Sequence, residues 1–254
     1  MRTQRPWAPD EVAYLTEQYE RMPIAAIMDA LNRSKPSVDR KAQILRLRRV
    51  RTLATLAINR SYFTDVTTDE QAYILGVIAA DGNVTHESQL RITLHERDLH
   101  LVEWIRDRIA PLSPIRQHYT SHAVVFGIQS QQIAYDLSVF GIVPNKTYSL
   151  EWPSALDGSL SRPFLLGAFD GDGSLYLNRR GHWKPALRWA LYGREGFLSS
   201  CIDVIEAATG IRAYGPRRMR SHSAGYAIEL GNTRAEVVDR WLNQDRMGLA
   251  RKHL

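Results

Sequence analysis

The chain has 254 residues, 44% of them apolar and 24% charged, with a formal net charge of +6 and a single cysteine. This composition excludes a disordered chain, and the lone Cys201 excludes an intramolecular disulfide and a multi-cysteine zinc site. The longest apolar stretch, Ala72 to Ala80, is too short to cross a bilayer, and "MRTQRPWAPDE" lacks the apolar core of a secretory signal, so no membrane association and a cytoplasmic, nucleoid-associated location are expected.

The charge is unevenly placed. Residues 1–60 hold 12 of the 33 Lys+Arg and 6 of the 27 Asp+Glu, which leaves 21 of each for the remainder. The excess peaks at "RLRRVR", with Arg46, Arg48, Arg49 and Arg51 crowded together. A localised basic segment is the electrostatic footprint of polyanion binding. Within residues 1–50, Val12, Leu15 and Tyr19 recur at helical spacing behind Pro9, Asp10 and Glu11. Ile24, Ile27 and Leu31 form a second stripe, and Ser34 or Ser37 caps a third helix with Val38 and Leu45 facing inward. Three short helices with Trp7 as an anchor predict a small domain. Its third helix presents Lys35, Ser37, Arg40, Lys41 and Gln43, residue types that reach phosphates and base edges. The segment resembles the Myb-like or helix-turn-helix modules fused to DNA-acting proteins; a protein-interaction module is the alternative. Residues 51–67 show no period and are read as a linker. Thr67 and Glu70 have capping-box spacing and predict a helix starting near residue 68.

The rest of the chain reads as two copies of one unit, residues 68–150 and 151–254. "YILGVIAADGNVTH" and "FLLGAFDGDGSLYL" are apolar helices that run into Asp-Gly, at Asp81-Gly82 and Asp172-Gly173. After the first come two short strands, a helix with Leu99, Val102, Ile105 and Ile109 on one side, two more strands and a closing helix. "SLYLNRRGHWKPALRWALYG", "REGFLSSCIDVIEAATG", "AYGPRRMRSHSAGYAIELGN" and "TRAEVVDRWLNQ" repeat that order after the second. Each half is αββαββα.

A carboxylate at the carboxyl end of a helix opposes the helix dipole, and a bound cation is one way to compensate it. Small residues recur four apart in both opening helices, Gly76 and Ala80, then Gly167 and Gly171, which lets the two backbones approach closely. Helices packed on those faces bring Asp81 and Asp172 to one end. Neighbouring carboxylates repel unless one is protonated or a divalent cation lies between them, and oxygen-only ligation favours magnesium. An isolated Asp-Gly would be a routine helix stop with glycine in the left-handed conformation. Two copies with the same small-residue spacing argue for a metal holder.

"ILGVIAADG" and "LLGAFDGDG" resemble the two signature motifs of single-chain LAGLIDADG homing endonucleases, and the resemblance covers about residues 68–250. It implies an α+β fold in which two pseudo-symmetric halves meet at the motif helices and spread antiparallel sheets over DNA as a β-saddle, after the small three-helix domain. It implies a metal site at Asp81 and Asp172, extended to the neighbouring Ala80 and Gly171, that takes Mg2+ (or Mn2+), and lysines near it at Lys146 and at Lys252 or its neighbour Arg251. The first motif has Ala79 where the second has Asp170, so Asp170 is not expected to be essential. Strand residues expected to contact DNA are Arg91, Thr93, Arg116, His118 and Gln129 in the first half. In the second they are Asn178, Arg180, Lys184, Arg188, Arg217, Arg218 and Arg220. The implied activity is magnesium-dependent hydrolysis of both strands of double-stranded DNA at a long site by a monomer. A DNA-binding regulator that keeps the fold without cutting and an RNA-binding intron maturase are the alternatives.

Overall fold

The computed structural model describes residues 5–19, 22, 24–47, 57–118, 121–178, 185–219, 225–245 and 247–252. The chain divides into two compact units, Met1–Leu56 and Ala57–Leu254.

In the first unit, α1 (Pro9–Gln18), α2 (Ile24–Leu31) and α3 (Lys35–Ile44) enclose a small core of Leu15, Ile27, Leu31 and Val38. A core this small needs polar reinforcement. Arg33 supplies it by donating to Glu11 from Nε (3.2 Å) and Nη2 (2.7 Å) and to the Pro6 carbonyl, while its guanidinium lies 4.2 Å over the Trp7 ring. Glu11 also accepts from the Ala8 amide at 2.9 Å. The Arg33 hydrogen bonds foremost hold the Glu11 carboxyl down at about 2.

The second unit repeats one order of elements. Its first half is α4 (Asp69–Asp81), β1 (Gly82–Val84), β2 (Gln89–His95), α5 (Leu99–Ile109), β3 (Ile115–His118), β4 (Ala123–Gln129) and α6 (Gln131–Val139). Its second half is α7 (Ser161–Asp172), β5 (Gly173–Asn178), β6 (Ala186–Gly193), α8 (Glu195–Thr209), β7 (Tyr214–Arg218), β8 (Tyr226–Gly231) and α9 (Thr233–Leu242). Each half forms a four-stranded antiparallel sheet, in the orders β1-β2-β4-β3 and β5-β6-β8-β7. One face of each sheet is apolar, carrying Leu90, Ile92, Phe126 and Ile128 in the first and Trp189, Leu191, Ile228 and Leu230 in the second, and packs against its helices.

The paired helices α4 and α7 form the centre of this unit. Their interiors, Ala72–Ala79 and Pro163–Asp170, are buried on all sides. A Cβ on Gly76 would lie 2.1 Å from the Phe164 carbonyl oxygen, and one on Gly167 would lie 2.0 Å from that of Tyr73. The two helices therefore touch backbone to backbone through reciprocal glycines, as the small-residue spacing predicts. Ala80 and Gly171 carry the same face to the helix ends, where a Cβ on Gly171 would meet that of Ala80.

Two expectations are corrected. The linker over 51–67 is too long, because Ile58, Tyr62 and Phe63 are buried in the core of the second unit; residues 51–56 lie outside the described residues. The capping box lies one residue later than Thr67 and Glu70. Thr68 Oγ1 accepts from the Gln71 amide and Gln71 Oε1 from the Thr68 amide, each at 3.2 Å. Glu70 turns instead to the Tyr62 hydroxyl and to Arg108, 2.6 Å away. Gly82 and Gly173 are extended, at φ −76° and −99°, unlike the left-handed stop of a routine Asp-Gly helix end, and open β1 and β5 directly. Glycine is required for space: a Cβ would fall 2.6 Å from the Ile78 carbonyl oxygen at Gly82 and 2.1 Å from the Phe169 ring at Gly173.

Candidate functional site

Packing of α4 on α7 brings Asp81 and Asp172 to the same end. A Cβ on Gly171 would lie 2.9 Å from Asp81 Oδ2, so the Asp81 carboxylate hangs over the residue preceding Asp172. Burial first, and then repulsion from Asp172, push the Asp81 carboxyl up to about 6. Burial raises Asp172 as well, against the pull of Lys146 and Lys252. A folded protein that keeps two carboxylates in mutual repulsion holds unused affinity for a cation.

Part of that charge is already met within the chain. Lys146, 8% exposed, donates to the Ala80 carbonyl at 2.9 Å. Lys252 donates to the carbonyls of Asp170 (2.5 Å), Gly171 (2.9 Å) and Gly173 (2.9 Å). Each ammonium thus sits on the negative pole of one motif helix. The compensation that the sequence suggests for helix ends bearing carboxylates comes first from these two lysines. Burial lowers both lysines, and the aspartates oppose the shift. Lys146 is held by a tight turn in which Asn145 is left-handed (φ 61°), and Ile142 just before it is fully buried. A cavity of about 390 Å³ opens here, with Lys146, Asp172, Ala80, Tyr192 and Arg194 in its wall.

The donor set suits a hard divalent cation. Asp81 and Asp172 offer carboxylate oxygens, whereas the carbonyls of Ala80 and Gly171 are engaged by lysines. Among the described residues no group of three or more His, Cys, Asp or Glu could hold a metal ion. A cation at this end would therefore meet two carboxylates from the described residues, with its remaining positions left to water and ligand oxygens.

Asp170 does not join the pair. It is 4% exposed and accepts from the Tyr73 hydroxyl (2.8 Å) and the Leu249 amide (2.7 Å). Its carboxyl is raised by burial, against these hydrogen bonds. Arg251, the alternative to Lys252, donates to Asp98 at 2.7 and 2.5 Å.

On the open face of the first sheet, pleating groups the expected residues. Arg91 and Thr93 alternate outward along β2, Arg116 and His118 along β3, and Gln129 closes β4. Gln89, Arg91, Thr93, Arg116 and His118 line a concavity of about 320 Å³. Register adds Asn83, opposite Arg91, and the alternation along β2 adds the exposed His95. In the second sheet Arg188 lies opposite Tyr176, and Asn178 alternates with Tyr176 on that face. Arg217 reaches it too, ion-paired to Glu229 at 2.6 Å. Arg218 does not: it lies opposite Tyr226, which packs on the core, because a bulge between Tyr214 and Arg217 shifts the register. Tyr176, Tyr192 and Tyr214 belong to the open face and went unassigned in the sequence. Arg180, Lys184 and Arg220 lie outside the described residues.

In the first unit, Arg40, Gln43 and Arg46 are exposed and Ser37 is half-buried. Ser37 and Arg40 join Arg5, Asn32 and Arg33 around a concavity of about 430 Å³. Lys35 is ion-paired to Asp39 at 2.7 Å, and the Lys41 ammonium lies 5.9 Å over Trp7. Arg48, Arg49 and Arg51 lie outside the described residues.

No family model matches the sequence, and no curated protein matches it. Solved structures do match the fold. The I-SmaMI LAGLIDADG homing endonuclease bound to cleaved DNA aligns over 74% of this chain and 86% of its own, at 13% identity and a TM-score of 0.51. The I-LtrWI LAGLIDADG homing endonuclease bound to target DNA aligns over 76% and 87%, at 13% identity and a TM-score of 0.48. With duplicated αββαββα halves joined at paired glycine-faced helices, this chain has the α+β fold of the LAGLIDADG endonucleases.

Proposed function

We propose that the chain is a site-specific, magnesium-dependent endonuclease that hydrolyses both strands of a long DNA duplex as a monomer. The observation that carries this reading is the pair Asp81 and Asp172 at one end of the packed helices α4 and α7, with the Asp81 carboxylate over Gly171 and a lysine ammonium on the carbonyls that end each helix. Asp81 and Asp172 hold the cation, and Mg2+ (or Mn2+), when bound, supplies Lewis-acid stabilisation of the phosphoryl oxygens. Lys146 and Lys252 add fixed positive charge where phosphodiester cleavage builds negative charge. The open sheet faces supply base and phosphate contacts through Arg91, Thr93, Arg116, His118, Gln129, Asn178, Arg188 and Arg217. The three-helix unit lengthens the site through Ser37, Arg40 and Gln43 on α3. Lys35 and Lys41, already engaged within the unit, contribute general positive charge. In this reading residues 68–150 and 151–254 are the two half-sites.

The test is a two-stage selection. Duplexes are enriched from a randomised library by binding in calcium, and magnesium is then added to the enriched pool with wild-type protein, Asp81→Asn or Asp172→Asn. Double-strand ends at one sequence, absent with both variants, establish the nuclease. Selective binding without ends from any of the three identifies a non-cutting DNA-binding protein.

A further inference from the structure

The segment carrying Lys252 follows α9, ends in a 3-10 turn over Ala250–Lys252, and is joined to the motif helices through side chains and the Leu249 amide. Four contacts anchor it. Arg162 donates to Asp245. The Leu249 side chain is buried, and its amide donates to Asp170 at 2.7 Å. Arg251 then crosses to the first half of the unit and forks onto Asp98, a carboxylate 2% exposed, with Nε to Oδ1 at 2.7 Å and Nη2 to Oδ2 at 2.5 Å. Lys252 directly follows, with its ammonium among the carbonyls that end α7.

Among the described residues the first half's lysine is held differently, although Glu151, shortly after Lys146, pairs with Arg194 at 3.2 Å beside α8 much as Arg251 pairs with Asp98 beside α5. Lys146 lies in a turn closed by local backbone hydrogen bonds, from Lys146 N to the Val143 carbonyl at 3.1 Å and from Leu150 N to the Lys146 carbonyl at 2.7 Å. There the motif has Ala79 in place of Asp170. The Asp170 carboxylate, absent from the first motif, and the Asp98–Arg251 fork, which joins the two halves, therefore converge on one short segment, and the ammonium it carries lies at one motif-helix end.

We propose that Asp98, Arg251 and Asp170 are positioning residues that hold Lys252 at the carboxyl end of α7, so that loosening them disables one of the two half-sites and leaves a strand-selective nickase. The catalytic part of this inference rests on the nuclease reading; the tether itself does not. A bidentate fork between planar groups fixes orientation as well as distance, and a lysine one residue away inherits both. Positioning of this kind governs the rate at the one site it serves, because small displacements of a charge in a preorganised site reduce its effect steeply.

The experiment uses the full chain and a duplex carrying a different fluorophore on each strand. Lys252→Ala identifies the strand that depends on that lysine. Asp98→Asn and Arg251→Gln are each expected to slow the same strand at least tenfold and to leave the other within twofold. Asp98→Asn in the Lys252→Ala background is expected to add no further loss, which separates action through Lys252 from general destabilisation. Hydrogen exchange supplies a readout independent of cutting: the Leu249 amide is expected to exchange at least tenfold faster in Asp98→Asn and Arg251→Gln, with α4 and α7 unchanged. Should either variant fail to fold, the other and Arg251→Lys, which keeps the charge without the fork, carry the comparison. Equal slowing of both strands, additivity with Lys252→Ala, or unchanged exchange at Leu249 overturns the inference while the nuclease reading stands. If the wild type cuts neither strand, the nuclease reading falls, and accelerated or unchanged exchange upholds or overturns the tether by itself.

Discussion

Asp81→Asn is expected to raise the stability of the metal-free protein while abolishing cleavage, because folding works against the charge that function needs. The Asp81 carboxyl rises from 3.8 to about 6 on folding, through burial and then the neighbouring Asp172 charge. At about 1.4 kcal/mol per unit, that shift corresponds to about 3 kcal/mol of destabilisation once the group is ionised in both states. An asparagine amide keeps part of the desolvation cost and water reaches the mouth of the site, so a gain of about 1–2 kcal/mol is the working figure. The sign follows from proton binding. Between pH 3.8 and about 6 the folded state binds the proton more tightly, so stability falls as pH rises through that window and stays low above it. Urea unfolding in a chelator at pH 4.5 and pH 7.5 is the assay. The advantage of Asp81→Asn over wild type should be small at the lower pH and full at the higher one, and magnesium should narrow it by stabilising only the wild type. A variant less stable than wild type at pH 7.5, or equally displaced at both pH values, would refute the reasoning.

Three further outcomes are expected. Gly167→Ala places a Cβ 2.0 Å from the Tyr73 carbonyl oxygen, so the helix pair must part, and the loss should exceed the roughly 1–3 kcal/mol of ordinary overpacking; a urea midpoint shift worth under 1 kcal/mol would contradict the backbone contact. The Glu11 carboxyl is held at about 2 by Arg33, so its contribution to the first unit is complete above pH 4.5 and is lost as pH falls towards 2. Glu11→Gln should flatten that acid limb, followed by NMR signals of α1–α3, and an unchanged acid transition would remove Glu11 from its cause. Arg40→Ala should weaken binding across sequences alike and lower the slope of log K against log salt by about 1; an unchanged slope in filter binding would take Arg40 off the phosphate backbone.

The elements legible in the sequence are those whose determinants are local. The repeated Gly-x-x-x-small pattern announces the contact between α4 and α7, and the alternation along Gln89–His95 and Ala123–Gln129 puts Arg91, Thr93 and Gln129 on one face. The acids Asp81 and Asp172 stand out because each ends a helix that should not end in a carboxylate. What stayed hidden depends on pairs far apart in the chain. Asp98 and Arg251 are separated by 153 residues, and nothing periodic connects them. Asp170, legible only as a departure from symmetry with Ala79, binds a backbone amide 79 residues away. Thr68 takes the cap from Thr67 because Glu70 is drawn to Tyr62 and Arg108, partners that folding alone brings near. The bulge before Arg217 turns Arg218, still exposed, away from the open face, since a one-residue slip reverses the side on which a strand residue lies.

The most direct test of the two-carboxylate metal site is a count of metal rather than of cuts. Mn2+ is titrated into the protein bound to its selected duplex, and uptake is read as loss of the free-ion EPR signal against the same duplex alone. The wild-type complex should take up Mn2+ beyond the duplex, and Asp81→Asn and Asp172→Asn should each lose that uptake while still binding DNA. Equal uptake by all three proteins would mean that these aspartates hold no metal, and the endonuclease mechanism built on them would fall with that result.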